Sequence, residues 1–297
     1  MLIVKLKDQL GNQMFAYAAI KNIAEKKGFD FKFYREPLNV KYINDSDKKY
    51  GNDLYTIFKL DEKEKIDILP YDYKIYKEEP LKKRFSQDYA ENVFNMINDK
   101  MICDGHFIDT RFWADDKEKL KKWFAIPTDI RAKVELKKRE LSHNGFYTLV
   151  SIHFRGGKDY TKLGYKLHRK YWWDAAQKVL SMEKNVRFVC VYDKKTKDVI
   201  KFIDHFNAID FHGSLVEDMA MISECDINIV CNSTFSIMSA LINPHVKYVI
   251  CPNKYPTQGG YFPQSVFDRS WIRVPAKRSF ISTICYIVYR FKTLIKG

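Results

Sequence analysis

Between Phe146 and Pro252 four apolar runs, FYTLVSIHFR, VRFVCVYD, DINIVC and VKYVICP, are separated by segments of helical spacing, HRKYWWDAAQKVLSM, VEDMAMISEC and STFSIMSALI. Runs that are apolar on both faces suit strands covered on both sides, and parallel strands need a crossover between them, usually a helix. The alternation therefore predicts a parallel α/β architecture. The N-terminus opens in the same way. LIVKL (Leu2 to Leu6) reads as a strand, and Met14, Ala18 and Ile20 to Ala24 then carry helical spacing, with Gly28 as the stop. FDFKFY and MICDGHF read as further strands, and DKEKLKKWFAI as a helix ended by Pro127. Residues 37–100 are rich in Tyr, Asn and Lys and only weakly periodic.

A chain of 297 residues is long for one small core. With the break at Asn144-Gly145, the expectation is two Rossmann-like α/β domains, 1–145 and 146–275, facing a cleft. A basic amphipathic helix, 276–297, would follow them. Hydrophobic residues at 46% and charged residues at 30% describe a globular chain rather than a disordered one. The formal charge of +14 points to an anionic partner: nucleic acid, a phosphorylated ligand or an acidic membrane surface. The lysines are spread along helix faces such as DKEKLKKWF, and there is no Arg/aromatic RNA-reading signature or recognition-helix pattern, which weighs against nucleic acid. Six cysteines without a C-x-x-C pair or zinc-like cluster read as free thiols in a reducing cytoplasm. MLIVKLK reads as a strand rather than a signal peptide, and no run reaches the roughly 18 apolar residues of a membrane span.

Two strand ends carry the chemistry. In VSIHFRGGKDY, His153 and Arg155 alternate onto the same side of a strand, followed by Gly156 and Gly157. An arginine can grip phosphate with two parallel hydrogen bonds, and glycines let backbone approach a ligand. The plain alternative is an ion pair with an acid such as Asp159. In DINIVCNSTFSIMSALI, Asn232, Ser233 and Thr234 lie between a strand and a helix. They either cap that helix or present its start to phosphate. Two phosphate-type positions in one domain imply a nucleoside diphosphate ligand. In LGNQMFAYA, Gly11 is expected to make a tight turn, with Asn12 and Gln13 offering amides to hydroxyls or phosphate oxygens.

LGNQMFAYA, HFRGGKDY and ISECDINIVCNSTFS, in this order, resemble the motifs of the bacterial α-1,2-fucosyltransferase family. GHFIDTRFW and FHGSLVEDMAMIS resemble two further segments, and the likeness spans roughly residues 1 to 275. The resemblance implies a two-domain GT-B glycosyltransferase that takes L-fucose from GDP-fucose without a metal and transfers it with inversion, within surface glycan or O-antigen synthesis. Domain 1–145 would be the acceptor side. Arg155 would bind the donor diphosphate with His153 beside it, and Asn232, Ser233 and Thr234 would form the helix-start phosphate site. Asp218 would read the guanine edge, and Asn12 and Gln13 would line the cleft. Asp159 is the nearest matched carboxylate for the acceptor proton. The family's second arginine is Gly156 here, and its Trp pair is Ile237-Met238.

Alternatives remain at this point: another GDP- or UDP-sugar donor, or a basic nucleotide- or nucleic-acid-binding protein without catalysis. Asp45-Ser46-Asp47 is the one triplet resembling a metal-binding Asp-x-Asp. The tail KRSFISTICYIVYRFKTLIKG is either a closing helix or an interfacial helix on an anionic inner leaflet, where a lipid-linked glycan acceptor would be met.

Overall fold

The computed structural model describes residues 1–35, 53–79, 88–257 and 260–295. The chain divides into two compact units, Met1–Pro127 and Thr128–Gly297.

The first unit runs β1 (Leu2–Leu6), α1 (Leu10–Lys27), β2 (Phe31–Arg35), α2 (Leu54–Phe58), β3 (Lys65–Ile66), β4 (Lys74–Lys77), α3 (Tyr89–Met96), β5 (Met101–Asp104) and α4 (Glu118–Trp123). Its five strands lie in the order β3-β2-β1-β5-β4, every pair parallel. β1 is central, and its Leu2, Ile3 and Val4 are fully buried, which is why that run is apolar on both faces. α1 buries Met14, Phe15, Tyr17 and Ile20. Phe15 packs on Trp113 at 5.2 Å between ring centroids, and Tyr17 is enclosed by Phe31, Phe33 and Phe124. Lys26 and Lys27 sit in the last turn, at the negative end of the helix dipole. Gly28 then closes α1 with a left-handed φ of 68°, as its position in the sequence predicts.

The second unit begins with α5 (Thr128–Leu141), then β6 (Thr148–Phe154), α6 (Lys158–Lys162), α7 (Lys170–Leu180), β7 (Val186–Tyr192), α8 (Lys197–Phe206) and β8 (Ile209–Asp210). It continues through α9 (Leu215–Glu224), β9 (Ile227–Ile229), α10 (Thr234–Leu241), β10 (Tyr248–Pro252), a hairpin of β11 (Tyr255–Thr257) and β12 (Gly260–Phe262), β13 (Ile272–Val274) and α11 (Phe280–Ile295). The sheet order is β13-β10-β9-β6-β7-β8, again all parallel. Its core is centred on Phe154, stacked on Trp172 at 4.7 Å, whose Nε1 donates to the His153 carbonyl at 3.0 Å. All six cysteines are unpaired, and burial pushes the Cys231 and Cys251 thiols up to about 12.

The unit boundary falls at Pro127 rather than at Asn144-Gly145. α5 packs on α9 and buries Ile130, Val134 and Leu141, so it goes with the second sheet. Asn144 and Gly145, both at positive φ, turn the chain from α5 into β6. Among the described residues, no helix is long and apolar enough to cross a membrane.

In the second unit, β7 and β8 lie on one side of β6, whereas β9, β10 and β13 lie on the other. The strand order therefore reverses between β6 and β9. In open α/β sheets, ligands bind beyond the carboxyl ends of the strands at such a point. The first unit has its own reversal, between β1 and β5.

Candidate active site

Both sequence-marked strand ends of the second unit flank its reversal point. Arg155, Gly156 and Gly157 follow β6, and Asn232, Ser233 and Thr234 follow β9. Arg155 donates through a guanidinium N–H to Asp193 Oδ2 at 2.9 Å, and its guanidinium lies 5.2 Å from the Tyr160 ring centroid. The same carboxylate accepts the N–H groups of Gly156 at 2.8 Å and Gly157 at 3.1 Å. Asp193 thus holds both the guanidinium and the glycine loop. The ion pair considered from sequence is made with Asp193. Asp159 lies in α6, and its side chain is outside the described part of the structure.

Asp193 escaped the sequence reading although the register contains it. β6 and β7 pair Phe154 with Tyr192, so Arg155 and Asp193 come one step beyond the last matched pair. Gly156 also has a steric reason to stand where the family motif has its second arginine. A Cβ there would lie 2.9 Å from the Thr196 methyl, at the cap of α8.

His153 does not join Arg155 as a second cation. Its ring is buried, with Nδ1 3.2 Å from Cys231 Sγ and its centroid 5.5 Å from that of Phe235. Burial, and then the neighbouring Arg155 charge, pushes its pKa down to about 3, so the imidazole is neutral at physiological pH. This carries a stability consequence. Above the ordinary value of 6.5 the folded and unfolded rings are both neutral, and the contribution is complete. As pH falls from there towards about 3, the unfolded chain takes a proton that the folded ring refuses, and stability is lost. His153→Gln is therefore expected to flatten the fall of melting temperature over that window, whatever its effect at neutral pH. An unchanged slope would mean that His153 is not the group responsible.

After β9, the two uses weighed for Asn-Ser-Thr separate. The Asn232 amide donates to the Tyr165 carbonyl at 2.7 Å, and the Asn232 carbonyl accepts the Tyr160 hydroxyl. Asn232 is thus a buried tie rather than a ligand contact. Ser233 occupies the N-cap of α10 in extended backbone (φ −135°), yet makes no side-chain cap bond. The plain capping explanation does not describe Ser233, and the helix start keeps its partial positive charge at the reversal point.

Asp218 lies in the first turn of α9, whose cap is a reciprocal Ser214–Glu217 box. Its Oδ1 accepts the Gly213 N–H at 2.8 Å, and its Oδ2 is 3.5 Å from His212 Nδ1. The half-exposed His212 ring stacks on Tyr192 at 5.1 Å and 15°. A buried carboxylate beside an accessible planar ring suits the edge and face of a base. His212 was not singled out from sequence.

In the first unit the tight turn belongs to Asp8 (φ 63°), not to Gly11, which is already inside α1. Gln13 is buried; its Nε2 donates to the Asp8 carbonyl at 2.8 Å, and its Oε1 accepts the Leu54 N–H at 3.1 Å. Both ends of this amide serve the backbone, so Gln13 positions the turn instead of meeting a substrate. Asn12 is half-buried in the first turn of α1. Asp8 and His106 follow β1 and β5 at the reversal point and pair at 2.5 Å through His106 Nε2. That hydrogen bond is the main reason the Asp8 carboxyl sits below its ordinary range. The pair has the chemistry to pass a proton. Among the described residues no group of three His, Cys, Asp or Glu could hold a metal ion, and Asp45 and Asp47 lie outside the described residues.

The model of the family described as Glycosyl transferase family 11 matches residues 1–274. The chain belongs to glycosyl transferase family 11. The motif likeness read from the sequence holds at this level. No curated protein matches the chain. Among solved structures it is similar to the fucosyltransferase NodZ from Bradyrhizobium, with 14% identity, a TM-score of 0.55, and coverage of 84% of this chain and 94% of that one. A structure of NodZ α-1,6-fucosyltransferase soaked with GDP-fucose gives 15% identity, a TM-score of 0.53, and coverage of 85% and 94%. At such identities the likeness speaks for the fold, two α/β units of GT-B type.

Proposed function

We propose that this family 11 glycosyltransferase transfers L-fucose from GDP-fucose to a sugar hydroxyl, forming an α-1,2 linkage with inversion and without a metal. The observation that carries the reading is the start of α10, where the Ser233 side chain makes no cap bond, on one side of the β6/β9 reversal point, with Arg155 on the other. The donor assignment is supported by the family and by NodZ α-1,6-fucosyltransferase, which was soaked with GDP-fucose and co-crystallised with GDP. The α-1,2 linkage rests on the motif resemblance, and linkage analysis of the product tests it against the α-1,6 linkage named for NodZ.

When GDP departs from the anomeric carbon, negative charge grows on the β-phosphate. Donors fixed there stabilise the transition state more than the ground state. Arg155 would supply two parallel N–H bonds, and the first turn of α10, after Ser233, would supply backbone N–H groups. Asp218 and His212 would receive the guanine. Asp159 would take the acceptor hydroxyl's proton. Asp159→Asn is then expected to lower turnover by about 10²–10⁴-fold with GDP affinity unchanged. Full activity of that variant would remove Asp159 from the proposed mechanism.

Thermal shift with GDP, UDP, CDP and their sugars tests the donor. GDP and GDP-fucose are expected to raise the melting temperature by a few degrees at about 100 times Kd, and the others not. A larger shift with UDP-sugars would overturn the donor assignment. Turnover is expected to persist in EDTA. Abolition by chelator and recovery with Mn²⁺ would bring back Asp45 and Asp47.

A further inference from the structure

The closing helix α11 is inside out. Its inner side is small and polar: Ser282 is fully buried, and its hydroxyl donates to the Thr161 carbonyl at 3.2 Å. Tyr286 packs over Gly164, where a Cβ would come within 3.2 Å of the Tyr286 Cβ. Arg278, just before the helix, donates to the carbonyls of Gly164 at 3.0 Å and Thr257 at 2.8 Å, with its guanidinium 4.0 Å from the Tyr286 ring centroid. These contacts seat α11 on α6.

The outer side is apolar. Phe280, Ile281, Ile284, Ile287, Val288 and Phe291 are 45–76% exposed. Their spacing of three and four places them on one stripe. An ordinary surface helix turns such a stripe to the core. Here the core-facing side is already satisfied by hydrogen bonds, and the apolar stripe faces outward.

The charge around this stripe limits what can cover it. From Lys277 to Gly297 the sequence has five Arg and Lys and no Asp or Glu, within a chain of formal charge +14. A second copy docking through the same face would bring a second set of cations and no acids to meet them. An anionic lipid surface supplies an apolar layer for the stripe and negative charge for a stretch whose sequence carries none. At 16 residues the helix is only ~24 Å long, too short to cross a bilayer core of about 30 Å, and suited to lying along one.

We propose that α11 docks the protein on an anionic phospholipid surface, its outward apolar stripe shallowly inserted and the flanking cations on the headgroups. This goes beyond the donor chemistry and does not depend on it. The test is co-sedimentation of the full chain with vesicles of phosphatidylcholine alone or with phosphatidylglycerol as about a third of the lipid. Binding is expected to the anionic vesicles only, and to fall about 10-fold or more in high salt. Truncation is a poor probe, because it removes the bonds of Arg278. Phe280→Glu combined with Phe291→Glu changes only outward side chains, and is expected to cut vesicle binding at least about 10-fold with melting temperature and GDP response retained. Absence of binding to anionic vesicles at low salt would overturn the proposal. So would a stable dimer that the double variant dissociates, which would give the stripe to a second copy.

Discussion

Replacing Arg155 by lysine is expected to lower turnover by about 10²–10³-fold, the usual cost of removing one donor aimed at developing charge, while the chain stays folded. The lysine keeps the positive charge and can still reach Asp193, so the loop retains a partner. What it loses is the planar fork. Arg155 binds Asp193 through one arm at 2.9 Å and lies against the Tyr160 ring. This geometry fixes the plane of the guanidinium before any ligand arrives. An ammonium has one point of charge to divide between carboxylate and phosphate. Steady-state kinetics with GDP-fucose, alongside a melting curve, separates the effects. Activity within a few-fold of the parent would remove Arg155 from the proposed mechanism.

The fold was legible where strands are buried on both faces. LIVKL, TLVSIHF and VRFVCVY are apolar almost throughout because each sits inside a parallel sheet with helices around it. The elements that escaped were short or depended on distant partners. β8 has two residues and β13 three, too few for any period to show. α8 escaped although Val199, Phe202, Ile203 and Phe206 carry helical spacing behind the Thr196 cap.

The site divides in the same way. Arg155 and Ser233 could be marked from their place after a strand or at a helix start, since chain order dictates that place, whereas Asp218 came only with the motif resemblance. Gln13 and Asn232 could not be sorted, because an amide that ties two backbone segments has the same sequence signature as one that meets a ligand. His153 was sortable: VSIHF surrounds it with apolar residues, which favours a buried neutral ring over an exposed cation. Asp193 needed the register of two strands 38 residues apart in the chain.

Asp193 makes the sharpest distinction between holding a site together and taking part in its energetics. Its carboxylate accepts from the Arg155 guanidinium and from two successive glycine N–H groups, all within 3.1 Å. It occupies an arrangement of donors that would otherwise suit a phosphate. Asp193→Asn keeps the shape and one acceptor oxygen, but loses the charge and the second acceptor. Two consequences oppose each other. The guanidinium and the loop become less constrained, and a misplacement of about 1 Å at a reacting centre can cost on the order of 10²-fold in rate. At the same time a negative charge disappears from beside the proposed diphosphate site, so ground-state binding of GDP should hold or tighten. The expected result is therefore a split: kcat lower by about 10²-fold, GDP affinity equal to or above that of the parent, and a melting temperature lower by a few degrees. A purely structural carboxylate would give a different pattern, with the melting temperature lowered and kcat per folded molecule intact. Weaker GDP binding together with unchanged kcat would show that Asp193 helps to hold the nucleotide, and its role as the residue that positions Arg155 would be lost.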